Sequence, residues 1–225
     1  MTTAETRPHL SEERVLDGAM ELADRIGLEA LTIRKLAEAL GVKPMTIYHY
    51  VPSKEAIVDG MVERVFAQID LPPEDLPWTD AIRVRCQSAR RVLNRHPWAA
   101  PQLEARRMPG PMNLRHHEAV LTCLRRGGLS WQMTAHAYAV LDSYIFGFAF
   151  EEATLPASDG EGFGEIAREI ASAFDQEVYP NLAAFTVEHV LQEGYSFGVS
   201  FDFGLDLLIE GLARASADDR PAPSP

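Results

Sequence analysis

Apolar residues recur at helical spacing along most of the chain. Val15, Ala19, Leu22 and Ile26 follow i, i+4, i+7, i+11, with Leu16 and Ala23 beside them, so a first helix buries one face. Ser11 is a good N-cap for it, Glu12 and Glu13 suit the helix dipole, and Gly27 closes it. Thr32 caps a second helix whose inner face is Ile33, Leu36, Ala37 and Leu40, and Gly41 ends it with a tight turn. A short third helix is expected from Lys43 to Tyr50, with Pro44 in the first turn, where a missing N–H costs nothing. Pro52 stops it, and Ser53 caps a fourth helix reaching about Ile69.

Leu71–Trp78 (LPPEDLPW) is proline-rich and is taken as a domain boundary. Beyond it the pattern stays helical: Thr79–Arg95, a short piece opened by Pro97, Met112–Arg126 closed by Gly127 and Gly128, Ser130–Glu152, Glu165–Gln176, Pro180–Gln192 and Phe201–Ala215. Arg106–Pro111 and Pro156–Gly164 read as loops, and residues 1–10 and 216–225 as disordered tails. No strand-like alternation lasts more than a few residues. The expected fold class is all-α: an N-terminal helical domain over 11–70, its first three helices tightly spaced, then a helical domain over 79–215.

Composition narrows the function classes. With 46% hydrophobic and 24% charged residues over 225 positions, the chain is an ordinary globular protein with ample core. Cys86 and Cys123 form neither a metal spacing nor a secreted disulfide framework, which fits a reducing cytoplasm. Met1–Leu10 has no apolar run, so no signal peptide is expected. Ala135–Phe150 is short and contains Asp142, which argues against a membrane span. A net charge of −12 argues against nucleic-acid binding, but the balance reverses locally. Between Thr32 and Lys54, Arg34, Lys35, Lys43 and Lys54 face a single acid, Glu38, and all three lysines of the protein lie in this window.

The second helix, the Gly41 turn and the third helix make a helix-turn-helix, a unit that places one helix in the major groove. Val42, Ile47 and Val51 would hold the third helix inward. Lys43, Thr46, Tyr48, His49 and Tyr50 would face out, and the local positive charge suits phosphate contact.

The run from Leu31 to Met61, with Gly41-Val42, Ile47-Tyr48 and Lys54-Glu55 in order, resembles the DNA-binding domain of the TetR family of bacterial repressors. The run FDFGLDLLIEGL, Phe201 to Leu212, resembles the final helix of its tetracycline-repressor-like subgroup. The resemblance implies an all-helical homodimer that leaves a palindromic double-stranded operator when a small molecule binds its C-terminal domain. By position, it implies DNA contacts from Thr32, Arg34, Thr46, Tyr48, His49, Tyr50 and Lys54. Lys43, Pro44 and Met45 stand where polar base readers are common. Pro44 would then read by shape, and Met45 would touch a thymine methyl. Val51 replaces a bulkier aromatic.

On the ligand side, Asp70, Arg85, Ala89, Leu103 and Val120 occupy positions where the tetracycline repressors bind drug and magnesium, and none keeps the family residue. The expected effector is a small, mainly apolar organic molecule, carrying at most one anionic or hydrogen-bonding group and bound without metal or cofactor. Its expected pocket joins Met61, Val65, Arg107, His117 and Tyr138 to Arg85, Ala89, Leu103 and Val120. Leu205, Leu208 and Leu212 are the expected dimer stripe, packing with Ser130–Glu152 into a four-helix bundle.

Other patterns give competing readings. Arg83, Arg85, Arg90, Arg91 and Arg95 read as a solvated face. His116-His117-Glu118 lacks the HExxH spacing of a metal helix. Tyr138, Tyr144, Phe146, Phe148 and Phe150 suit core or dimer packing as well as a drug pocket. Gly194-Tyr195-Ser196-Phe197-Gly198 matches G-x-S-x-G, and Ser196 would be the nucleophile of a hydrolase; that elbow needs a preceding strand and a later histidine, and the last histidine is His189. A constitutive DNA-binding protein without effector is the other alternative.

Overall fold

The computed structural model describes residues 10–105, 109–155, 160–173 and 175–219. α1 (Glu12–Ile26), α2 (Ile33–Leu40), α3 (Pro44–Ile47) and α4 (Lys54–Gln68) come first. They are followed by α5 (Trp78–Arg95), α6 (Ala99–Ala105), α7 (Pro111–Arg126), α8 (Trp131–Thr154), α9 (Gly160–Ser172), α10 (Pro180–Phe185) and α11 (Val199–Asp218). A single π-helical turn, Thr186–Val190, continues α10. No strand occurs among the described residues.

The caps follow their chemistry. Ser11 accepts from Arg14 N at 3.3 Å, Thr32 from Lys35 N at 3.2 Å, Ser53 from Ala56 N at 3.1 Å and Ser130 from Met133 N at 3.1 Å. Each satisfies an amide that the first turn leaves without a partner, a contribution of about 1 kcal/mol. Gly41 takes φ 66, the left-handed region where a β-carbon would be strained, and so turns α2 into α3.

Several boundaries differ from the sequence reading. The third helix is regular only over Pro44–Ile47; His49 N and Tyr50 N bond three residues back, to Thr46 O at 3.3 Å and Ile47 O at 2.9 Å. α9 begins at Gly160, inside the expected loop, of which residues 156–159 lie outside the described residues. α11 runs to Asp218 with Ser216 buried, so packing holds the first part of the expected tail in a helix. The other expected tail, residues 1–10, is described only at Leu10.

The proline-rich segment is ordered against the body: Pro72 is buried, and Arg126 Nη2 donates to Pro73 O at 3.2 Å. One continuous apolar cluster runs from Val15 on α1 through Ile57 and Met61 on α4 to Leu205 and Ile209 on α11. α4 is the link, packing on α1 on one side and on α5, α6 and α7 on the other. α5, α8 and α11 form the far layer. Arg83 pairs with Asp206 at 2.8 Å, Arg90 with Glu152 at 2.6 Å, and Tyr144 donates to Phe201 O at 2.9 Å. The arginine row on α5 is therefore no uniformly solvated face: Arg85 is buried, and Arg83 and Arg90 clamp neighbouring helices.

Candidate functional site

The helix-turn-helix keeps most of the expected split between inward and outward side chains, but Tyr50, expected to face out, packs partly buried against the core. Ile47 is 0% exposed and Val51 3%, which fix α3 on α1 and α2. Thr32, Arg34, Lys43, Pro44, Met45, Tyr48 and His49 are exposed, Met45 at 70%; Thr46, Tyr50 and Lys54 are half-buried. Thr32 also holds the α2 cap, so any DNA contact would share its side chain. Lys54 occupies the first turn of α4, where the dipole disfavours a cation.

Behind this unit, a cavity of about 220 Å³ opens between α4, α5, α7 and α8. Arg85, Leu103, His117 and Tyr138 line it, as the sequence suggested. Met61, Val65, Ala89 and Val120 do not; they are packed in the apolar core, their side chains consumed by helix–helix contact. Arg107 lies outside the described residues. Sequence reasoning missed Phe66, Asn113, His116 and Asp142 in the lining, whereas Phe146 was among the aromatics it weighed for a drug pocket. His116 had been noticed only as a poor metal ligand, and Asp142 only as an interruption of an apolar helix. An acid in the middle of such a helix was the available signal.

The lining sets polar groups among apolar walls from Phe66, Leu103 and Phe146. Arg85, 3% exposed, donates from Nη1 to Asp142 at 3.1 Å. Burial disfavours its charge, but Asp142 more than offsets this and the guanidinium stays firmly protonated. The Tyr138 hydroxyl bonds His117 Nδ1, and burial together with Asp142 pushes the phenol above its ordinary range. His116 is pulled down to about 4 by burial and by the Arg85 charge, so its imidazole is neutral near neutral pH. Three side-chain atoms of these residues, Arg85 Nε, Asn113 Oδ1 and His116 Nδ1, are closed off from open space and have no hydrogen-bond partner.

Two polar links join the helix-turn-helix unit and α4 to the helices that follow. The Glu63 carboxylate on α4 accepts from Met112 N at 2.7 Å, at the N-terminus of α7, where the dipole favours an anion. Asp24 near the end of α1 accepts from Trp98 Nε1 at 2.6 Å and His96 Nδ1 at 2.9 Å, just before α6.

The dimer stripe needs correction. Leu205 is 0% exposed and Leu212 9%, and Leu208 is half-buried, because this row faces the protomer's own core. The open apolar row of α11 is Val199, Phe203 and Leu207, at 71%, 70% and 56%. On α8 the exposed positions include Ala135, Ala139, Ser143 and Gly147, four residues apart and all small.

Ser196 follows the π-helical turn and a bend, and Ser196 O accepts from Val199 N at 3.3 Å at the start of α11. No strand precedes it, so the nucleophile elbow is not formed. Among the described residues no cluster of three or more metal-ligating side chains occurs, and no helix is long and apolar enough to cross a membrane.

Residues 15–61 match the family model for bacterial regulatory proteins of the tetR family, and residues 71–215 that for the tetracyclin repressor-like C-terminal domain. An HTH-type transcriptional regulator of Saccharopolyspora erythraea is 31% identical, covering 94% of this chain and 88% of its own. The HTH-type transcriptional repressor DrrR1 of Streptomyces coeruleorubidus is 29% identical over 97% of this chain and 83% of its own. Among solved structures, the TetR family protein ActR of Streptomyces coelicolor in complex with actinorhodin superposes with TM-score 0.76 at 24% identity, covering 95% of this chain and all of that one. These relatives are named as regulators, not enzymes, and the hydrolase reading of Ser196 falls with them. Matched over both of its halves, the chain belongs to the TetR family of bacterial transcriptional regulators.

Proposed function

We propose that this protein is a repressor released from a palindromic operator by a small organic effector. Residues 11–70 bind DNA, and residues 79–215 bind the effector and dimerise. The observation that carries the reading is that one helix serves both ends. Lys54 stands at the start of α4 beside the recognition unit, and Phe66, near its end, lines the cavity. Fifteen residues at about 1.5 Å each give a lever of roughly 22 Å.

The effector meets α7 and α8 side chains in the cavity. Glu63 couples any shift of α7 to α4, and the Arg64–Asp17 ion pair couples α4 to α1. The effector must favour the DNA-incompetent arrangement, since equal affinity for both states would release nothing. ActR in complex with actinorhodin and the tetracycline repressor relatives support a ligand-responsive reading over a constitutive one, as does the cavity itself. The homodimer joins through the open rows of α8 and α11, in a bacterial cytoplasm, and sets two α3 helices about 34–36 Å apart on one face of DNA.

The test is release. Operator DNA selected by the protein is bound, small molecules are added, and dissociation is followed by anisotropy. Dissociation by a ligand that also raises the melting temperature supports the reading. A protein that no ligand displaces refutes the effector half of it.

A further inference from the structure

A second recess lies on the seam between the DNA-binding unit and the C-terminal domain, and it shares no lining residue with the cavity between α5 and α8. It measures about 750 Å³ and is walled by the end of α1 and the turn after it, the start of α4, the chain around Trp98 and the end of α8. Drug-sized sites span about 300–1,000 Å³. The walls are mainly apolar, and each unit leaves a large apolar side chain open on them: Ile26 at 39% exposure and Phe150 at 53%. A ligand with an apolar body would cover both.

Three charged side chains complete the lining: Asp24, Glu29 and Lys54. Asp24 accepts from both His96 and Trp98 on Oδ1, and its side chain keeps 28% exposure. Its Oδ2 has no partner among the described residues and stays open to the recess. Glu29 is exposed, and among the described residues neither it nor Lys54 has a side-chain hydrogen bond or ion pair. Two carboxylates against one ammonium leave the recess with an excess of negative charge, in a chain of net charge −12. A carboxylate ligand would meet one cation and two anions. A neutral hydrocarbon would cover the apolar walls and gain nothing from the acids. A ligand ammonium gains from the acids and from the open ring of Phe150.

We propose that this recess is a second small-molecule site and that it takes an amphipathic organic amine, its apolar body on Ile26 and Phe150 and its protonated nitrogen toward Asp24 and Glu29. Lys54 opposes that nitrogen and limits the affinity. The bound amine bridges the two units. The site does not depend on the effector reading, which rests on the other cavity.

The test uses the full-length protein without DNA and three probes on one ring system: naphthylethylamine, naphthylethanol and naphthylacetate. In calorimetry at low salt the amine should bind about fivefold more tightly than the alcohol and the acetate most weakly, and added salt should narrow the spread. Glu29→Gln, at an exposed position, should weaken the amine about twofold and leave the alcohol unchanged. Lys54→Met keeps the apolar stem, removes the like charge and should tighten the amine by a similar factor. Phe150→Ala should weaken amine and alcohol alike, whereas Phe146→Ala, in the other cavity, should alter neither. Tightest binding of the acetate, equal binding of the three probes, no binding by any of them, or an amine indifferent to Glu29→Gln and Lys54→Met would overturn the proposal. So would loss of the amine in Phe146→Ala, which would move it to the effector cavity.

Discussion

Asp24 and Trp98 are joined by one hydrogen bond of 2.6 Å across 74 residues of sequence, between the end of the first DNA-binding helix and the start of the effector domain's α6. His96 reaches the same carboxylate oxygen at 2.9 Å. The carboxylate thus ties the end of α1 to the chain just before α6, beside the end of α4, whose Gln68 meets the same His96 at 3.1 Å.

Trp98→Phe keeps the ring packing and removes one donor. It should destabilise the fold by about 1–2 kcal/mol and lower the effector concentration needed for half-release, because the resting arrangement loses a restraint. Melting curves and operator release measured on the same variant check both parts. An unchanged release curve would show that this bond restrains nothing.

Contacts to phosphate and to bases should separate cleanly. Lys54→Ala should weaken binding to operator and random DNA alike and lower the salt slope by about one unit. Tyr48→Ala, at a 43% exposed position on the outward side of the turn, should change the preferred half-site. Anisotropy at several salt concentrations distinguishes them, and equal losses on both DNAs for Tyr48→Ala would remove it from base reading.

Gly110 sits against the Glu63 carboxylate, and a β-carbon there would overlap it. Gly110→Ala should expel Glu63 from the α7 N-terminus. Operator binding should survive, and effector binding should no longer release DNA. Release at the wild-type effector concentration would exclude Glu63 as the link.

The helix-turn-helix and nearly every helix were legible in the sequence, because caps and 3.6-residue periodicity are local signals. The leucine row expected at the dimer interface turns toward the protomer's own core. α11 is apolar on two sides, and leucine spacing alone does not say whether Leu205 or Phe203 faces the core. The pocket was half-legible. Arg85, His117 and Tyr138 were singled out by type and position, whereas Asn113 and Asp142 become cavity residues only when α7 and α8 pack against α5. Asp142 carries a signal in an apolar helix; Asn113 carries none. Phe203→Asp should therefore dissociate the dimer with little change in protomer folding, and Leu205→Ala should cost about 2–5 kcal/mol of stability. Light scattering and denaturant melts report the two effects, and the reverse pattern would restore the leucine row.

Acid should weaken the fold through His116. Its folded value near 4 lies below the ordinary 6.5, so the unfolded chain binds the extra proton first. Stability from this residue is complete above about pH 6.5 and is lost as pH falls toward 4. His116→Phe should flatten the denaturation midpoint across that window. A variant that parallels wild type there would place the imidazole in water.

The central claim is that this chain recognises a specific DNA sequence as a symmetric dimer and gives it up to a ligand. Selection of bound sequences from a random DNA pool by the full-length protein tests its first half most directly, with the selected DNA then carried into effector titration. The account predicts enrichment of an inverted repeat with half-sites about one helical turn apart, bound with strong salt dependence and released by a small organic effector. Enrichment of no sequence, or of a single half-site bound by a monomer and indifferent to every ligand, would contradict it.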